Sequence, residues 1–176
     1  FDSDAHASTI RHKINRIDMP FVRMGTSGDP SEDWAHTLYV LSKLYGVNKQ
    51  IVIITKHWHN LTDTQLQTLS NYNVCINTSV SALDYSDTLE NALEQYERIK
   101  PYCKSVLRVV SCEFNLENNE AKKLNDIQEK LISVEGYIDT VLRISKSNEL
   151  VSGDLVKIND LKFLGKKITA SKRNKA

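Results

Sequence analysis

From Pro20 to Ile144 the chain alternates between short apolar runs, rich in β-branched residues, and segments with apolar residues at helical spacing. The runs are residues 20–24, Ile51-Val-Ile-Ile54, Asn73-Val-Cys-Ile-Asn77, Ser105-Val-Leu-Arg-Val-Val110 and residues 138–144. β-Branched side chains favour extended backbone, and a run that is apolar at every position suits a strand covered on both faces. Between the runs, Trp34, Leu38, Leu41 and Leu44 recur at helical spacing, Leu66 and Leu69 follow Thr62, and residues 89–100 and 118–133 are strongly helical in pattern. Strand, helix and strand again, at a spacing of roughly 30 residues, is the order of right-handed βαβ units and a parallel sheet. The predicted fold is α/β: a partial (β/α) TIM-type barrel with mostly parallel strands, with a doubly wound open sheet as the alternative.

Local signals set the boundaries. Ser31 is the expected cap of the first barrel helix, with Glu32 and Asp33 in its first turn, and Gly46 ends it. Thr62 caps the next helix, and Pro101 stops the one that ends at Lys100. Residues 1–18 read as a lead-in, a loop or a frayed helix; residues 19–165 form the partial barrel; residues 166–176 form a basic tail. Both ends read as cut, so a fragment of a longer polypeptide is expected.

Composition excludes several classes. The 23 basic and 22 acidic residues leave a net charge of +1, which gives no global argument for nucleic acid or a membrane surface. No apolar run approaches the roughly 20 residues that span a bilayer, and no secretory signal is visible. Cys75, Cys103 and Cys112 are odd in number and widely spaced. That argues against a disulfide framework and a local zinc site, and for a reducing, cytoplasmic setting. The tail with Lys166, Lys167, Lys172, Arg173 and Lys175 reads as solvated first and as a nucleic-acid contact second.

The strand ends carry the chemistry. The first run breaks into Gly25-Thr-Ser-Gly-Asp-Pro30, a turn of backbone N–H groups, two hydroxyls and one carboxylate that suits a small ligand bearing an amine and a carboxylate. The second ends in Thr55, Lys56 and His57, and the third in Asn77, Ser79 and Ser81, which share a face if the strand persists. The fourth carries Arg108, with Glu113 after it. An arginine between Leu107 and Val109 is costly to bury alone, so a carboxylate of the protein or of a ligand is expected beside it. The fifth carries Arg143 and ends at Ser145 and Lys146. Polar groups at five successive strand ends point to one ligand site at the carboxyl face of the sheet. His57 and His59 flank Trp58, but two histidines without a third ligand make a weak metal signal; stacking of Trp58 and His57 near the mouth of the site is a stronger reading, and otherwise they are loop residues.

Ser27-Gly-Asp-Pro30, Ile54-Thr-Lys56, Asn77-Thr-Ser-Val-Ser-Ala-Leu83 and Leu107-Arg-Val-Val110 together resemble the core of the radical S-adenosylmethionine (SAM) enzymes over residues 19–147, and weakly the spore photoproduct lyase branch. The resemblance implies SAM as cofactor. Thr26, Ser27, Gly28 and Asp29 would stand where the family binds its amino group. Asn77, Ser79 and Ser81 would contact the ribose or carboxylate, and Arg108 would pair with the carboxylate; Lys56 and Arg143 complete the candidate set. The family's Cys-x3-Cys-x2-Cys loop, which holds a 4Fe-4S cluster, is absent from the sequence, and the three cysteines do not replace it by spacing. The resemblance therefore implies an enzyme whose cluster ligands and electron donor lie outside this chain. Its substrate and its catalytic residue are not named by the sequence. The alternatives are a cluster-free α/β module for a small anionic or nucleotide-like ligand, and a structural partial barrel.

Overall fold

A computed structural model describes residues 3–25, 27–144, 147–157, 162–163 and 167–169. Its central element is a five-stranded sheet in the order β1-β2-β3-β4-β5. The strands are β1 (Phe21–Met24), β2 (Gln50–Thr55), β3 (Val74–Val80), β4 (Lys104–Ser111) and β5 (Ile138–Val141). The β1/β2, β2/β3 and β4/β5 pairs are parallel, and sequential strands lie side by side as βαβ units require. The helices are α1 (Asp4–Asn15), α2 (Trp34–Lys43), α3 (Asp63–Leu69), α4 (Ser86–Ile99), α5 (Asn119–Ile132) and the short α6 (Glu149–Ser152). The α/β reading thus stands. No helix among the described residues is long and apolar enough to cross a membrane.

The chain divides into two units. The first holds residues Phe1–Ser79 and Glu90–Val106. Its core joins Ile51, Ile53, Val74 and Ile76, with Val22 and Met24, to Trp34, Leu41, Leu66, Leu69 and Ile99 of α2, α3 and α4. Register explains the choice of residues. Val22 pairs with Ile51 and Ile51 with Val74, so every second side chain of three strands points to one face. The helices that share this core all cover that face. One-sided cover belongs to a (β/α) barrel wall; a doubly wound sheet carries helices on both faces. α1 joins the same cover through Ile10 and Ile14, with Ala7 fully buried. Within the lead-in expected as a loop or frayed helix, Asp4–Asn15 is therefore a packed helix, capped by the Ser3 hydroxyl.

The start of α2 also differs from expectation. A 3-10 turn, Pro30–Asp33, precedes it, with Asp29 as its cap. Asp33 caps α2 by accepting from the His36 amide, and Ser31 is buried inside the turn. Thr62 caps α3 as expected and forms a full capping box with Gln65.

The second unit holds residues Val80–Leu89 and Leu107–Ala176. Cys112, Phe114, Ala82, Ala121 and Val156 form its core, with Leu124 and Ile127 of α5 packed against them. Gln128 of α5 clamps the chain after β4: its Oε1 accepts from the Cys112 amide at 2.9 Å, and its Nε2 donates to the Cys112 carbonyl at 3.0 Å. The fifth expected strand is split in two. β5 stops at Val141, and Arg143–Ile144 forms β6, in a separate sheet of order β6-β8-β7 with β7 (Lys162–Phe163) and β8 (Lys167–Thr169). Both pairings in that sheet are antiparallel, which corrects the reading of residues 138–144 as one parallel strand. Of the expected tail, residues 166 and 170–176 lie outside the described residues.

Candidate functional site

The first unit builds a site where β1 ends. Gly25 leaves the strand with φ +91°, a conformation only glycine adopts freely. A Cβ there would lie 2.8 Å from Pro30 Cδ and 3.0 Å from the Ile54 carbonyl, so the turn folds tightly against both. Ser27 and Gly28 follow, both exposed. With Met24, Asp29 and Thr37 they line an open hollow of about 280 Å³. A Cβ built on Gly28 meets nothing within 4 Å, so the space beside it is free for a ligand. Thr26 lies outside the described residues.

Asp29 holds this turn in place. Its Oδ1 accepts from the Ser31 amide at 2.9 Å and from the Thr55 hydroxyl at 2.7 Å, and its Oδ2 accepts from the Lys56 amide at 2.7 Å. The carboxylate thus ties the exit of β1 to the exit of β2. Burial acts to raise its pKa, but the Thr55 hydroxyl and the amides of Lys56 and Ser31 outweigh it and hold the carboxyl below its ordinary value. The Ser31 hydroxyl is a fourth donor to the same carboxylate, which offers about four lone-pair positions, so the protein itself fills them. The side chain expected to meet a ligand amine is a brace, and what it offers a ligand is its charge.

The loop after β2 is fixed just as firmly. Thr55 Oγ1 accepts from the His57 amide at 2.9 Å, and Ser31 Oγ accepts from the Trp58 amide at 2.8 Å. The Trp34 indole donates to the His59 carbonyl at 2.7 Å, and Asn91 Nδ2 donates to the His57 carbonyl at 3.3 Å. His57 sits at φ +57°, where a side chain other than glycine costs about 1–3 kcal/mol unless its surroundings impose it. Those surroundings are the bonds just described and a 2.9 Å hydrogen bond between His57 Nε2 and Thr78 Oγ1. The ring is 2% exposed, and its Nδ1 has no partner among the described residues. Burial pushes the imidazole pKa down to about 4, against the opposing charge of Asp29, so His57 is neutral at ordinary pH. Trp58 is half exposed at the carboxyl end of β2.

The remaining candidates fall in both units. In the first, Asn77 and Ser79 alternate with Thr78 and so point away from the helix-covered face, as Cys75 does. Asn77 Oδ1 accepts from Cys75 Sγ at 3.4 Å. In the second, Ser81 lies beyond the end of β3, so the shared face of 77, 79 and 81 ends at Ser79. The Ser81 hydroxyl donates to the Val110 carbonyl at 3.1 Å and accepts from the Leu83 amide at 3.2 Å. Arg108, half-buried, donates to Thr140 Oγ1 at 3.2 Å. Arg143 is exposed on β6, and Ser145 and Lys146 lie outside the described residues. Sequence reasoning did not single out Asn91 or Thr37: each serves the site through a partner distant in sequence, and no local pattern marks it.

The residues present do not suit an iron cluster. No group of three or more His, Cys, Asp or Glu among the described residues could hold a metal ion. Burial raises the Cys75 thiol and pushes Cys103 and Cys112 up to about 12, whereas iron ligation needs thiolates. His57 and His59 are committed to Thr78 and to the Ser31 carbonyl. Compared with known proteins, the chain matches no family model and no curated protein.

Proposed function

We propose that this chain is the cofactor-holding part of a radical SAM-type enzyme, and that the hollow at Ser27–Asp29 takes the amino-acid end of SAM. The observation that carries the reading is the free space beside Gly28 in a turn made rigid by Asp29, at the carboxyl end of a parallel strand. That is where parallel α/β sheets place their ligands. Within the first unit, the turn's backbone carbonyls receive the ammonium group near the Asp29 charge, and Asn77 and Ser79 offer hydrogen bonds from β3. One-sided helical cover of β1–β3 favours a TIM-type barrel in the whole enzyme. SAM supplies hydrogen-abstraction chemistry when bound with a reduced iron cluster. The ligands of such a cluster are not among these residues, and no step is assigned to it. The same absence of a metal-ligand group favours, as the second reading, a cluster-free module that holds a nucleotide-like anion in this hollow.

Two-dimensional NMR titration separates these readings. SAM is expected to shift the amides of Ser27, Gly28 and Asp29, and Gly28→Val, at a position where a Cβ meets nothing within 4 Å, is expected to abolish the shifts. Shifts at these amides with adenosine monophosphate but not with SAM select the second reading. Equal binding by Gly28→Val and the parent overturns the site.

A further inference from the structure

A second cavity, of about 320 Å³, lies at the opposite, amino end of the strands of the first unit. Leu44 and Val47, from the segment between α2 and β2, and Ile51 at the start of β2 make its apolar wall. Tyr45 and Tyr72 flank it with ring centroids 6.3 Å apart and planes at 78°, an edge-to-face pair. Lys49 also lines it. That lysine is half-buried, and neither its ammonium group nor either phenol has a hydrogen-bond or ion-pair partner among the described residues. The ammonium group is open to solvent, as a lysine stem of four carbons allows, so an incoming anion can reach it.

We infer that this cavity is a binding site for a small organic anion with a single-ring aromatic body, its carboxylate on Lys49 and its ring against the Tyr45–Tyr72 pair. Three features select that class. The volume matches the low end of small-molecule sites, too small for a nucleotide with its sugar and phosphates. The wall is aliphatic and aromatic, so it rewards a ring rather than a polar chain. The polar side chains of the lining are an ammonium ion, two phenols and the carboxamides of Asn71 and Asn73, donors that complement one carboxylate. The site stands apart from the Gly25–Pro30 hollow, at the other end of β2, and does not depend on the function proposed for that hollow.

Phenylacetate and its neutral analogue phenylacetamide are the probes. Titration of the 176-residue chain with phenylacetate, followed by amide chemical shifts, is expected to move Gly46, Val47, Lys49 and Asn73 and to leave Ser27 and Gly28 in place. Phenylacetamide is expected to bind about two- to fivefold more weakly, since the charge pair with Lys49 is lost. Lys49→Met is expected to bring phenylacetate down to the affinity of the amide, and Val47→Phe to abolish both by filling the cavity. Melting temperature reports that each variant is folded. Equal affinity for acid and amide, unchanged binding by folded Lys49→Met, or shifts confined to residues 25–30 each overturn the assignment.

Discussion

Asp29→Ala separates a brace from a pure ligand contact. The substitution removes one acceptor group from four donors: the amides of Ser31 and Lys56, the Ser31 hydroxyl, and the hydroxyl of Thr55, whose residue is 1% exposed. The Thr55 hydroxyl can rotate to another acceptor; the two amides are fixed by the backbone. A hydrogen bond to a charged group contributes about 1.5–3 kcal/mol, so two fixed donors at the lower value lose about 3 kcal/mol. For a chain of this size the melting temperature falls by about 2–4 °C per kcal/mol, which gives a loss of roughly 6–12 °C. Asp29→Asn should lose less, about 2 kcal/mol, because its oxygen still accepts from Ser31 and Thr55 while its amide group opposes the Lys56 N–H donor to donor. The sign of the pH effect follows from the carboxyl's lowered pKa. The unfolded chain binds the proton more readily, so the contribution is complete above the unfolded value of about 3.9 and is lost as pH falls through the folded value. Urea denaturation near neutral pH and at about pH 3 reads both quantities, and the gap between parent and Asp29→Ala should narrow in acid. A gap within experimental error at neutral pH, or one equally wide in acid, refutes the brace.

Three further outcomes follow from the same bonds. His57 has its folded pKa pushed down to about 4, so the unfolded state takes up the proton first; stability should fall by on the order of 3 kcal/mol as pH drops from about 6.5 to about 4, and His57→Asn, which tolerates the positive φ, should flatten that slope in urea melts. Gly25→Ala should cost about 1–3 kcal/mol because its Cβ meets Pro30 and the Ile54 carbonyl at a positive φ, whereas Gly28→Ala should stay within about 0.5 kcal/mol of the parent; differential scanning calorimetry on the pair reads the contrast. Gln128→Leu leaves the Cys112 amide and carbonyl buried and unpaired, and should cost about 2–4 kcal/mol in denaturant titration.

The strands were legible because their signal is local and redundant. Ile51–Ile54 is apolar at four positions in a row, and Asn73–Asn77 is bounded by polar residues on both sides. Any register that buries such runs makes a strand, and β2 and β3 extend them by only a few residues. The misreadings arose where a tertiary partner decides the structure. Residues 4–15 have a weak apolar stripe, and the helix forms because Ile10 and Ile14 find the cover over β1–β3 and Lys43 meets Asp4 at 2.8 Å. Ser31 has the residue type of a helix cap, but its hydroxyl is taken by the Trp58 amide, so Asp29 and Asp33 take the capping roles on either side of it. Residues 138–144 read as one strand because Leu142 continues the apolar pattern, although its amide reaches back to the Ser111 carbonyl and the chain after it joins a different sheet.

The candidate site was legible in its residue types and illegible in its connections. Sequence placed Asp29, Thr55 and Lys56 at strand ends; that one carboxylate joins the other two is a pairing across 26 or 27 residues, which no local pattern announces. This pairing changes the meaning of the turn. A glycine-rich turn that is free to move would lose conformational freedom on binding, at roughly 0.5–1.5 kcal/mol for each group it immobilises. Here Gly25 is packed against Pro30 and Ile54, Asp29 is bound on both oxygens, and the open space is confined to the Gly28 side. The ordering cost has been met in folding, by bonds that contribute to stability whether or not a ligand is present. A site built this way should bind without moving, so the amides that brace it should already be protected from hydrogen exchange in the free protein. Rapid exchange at the Ser31 and Lys56 amides, the two held by Asp29, would contradict a preformed hollow even if a ligand were found to occupy it.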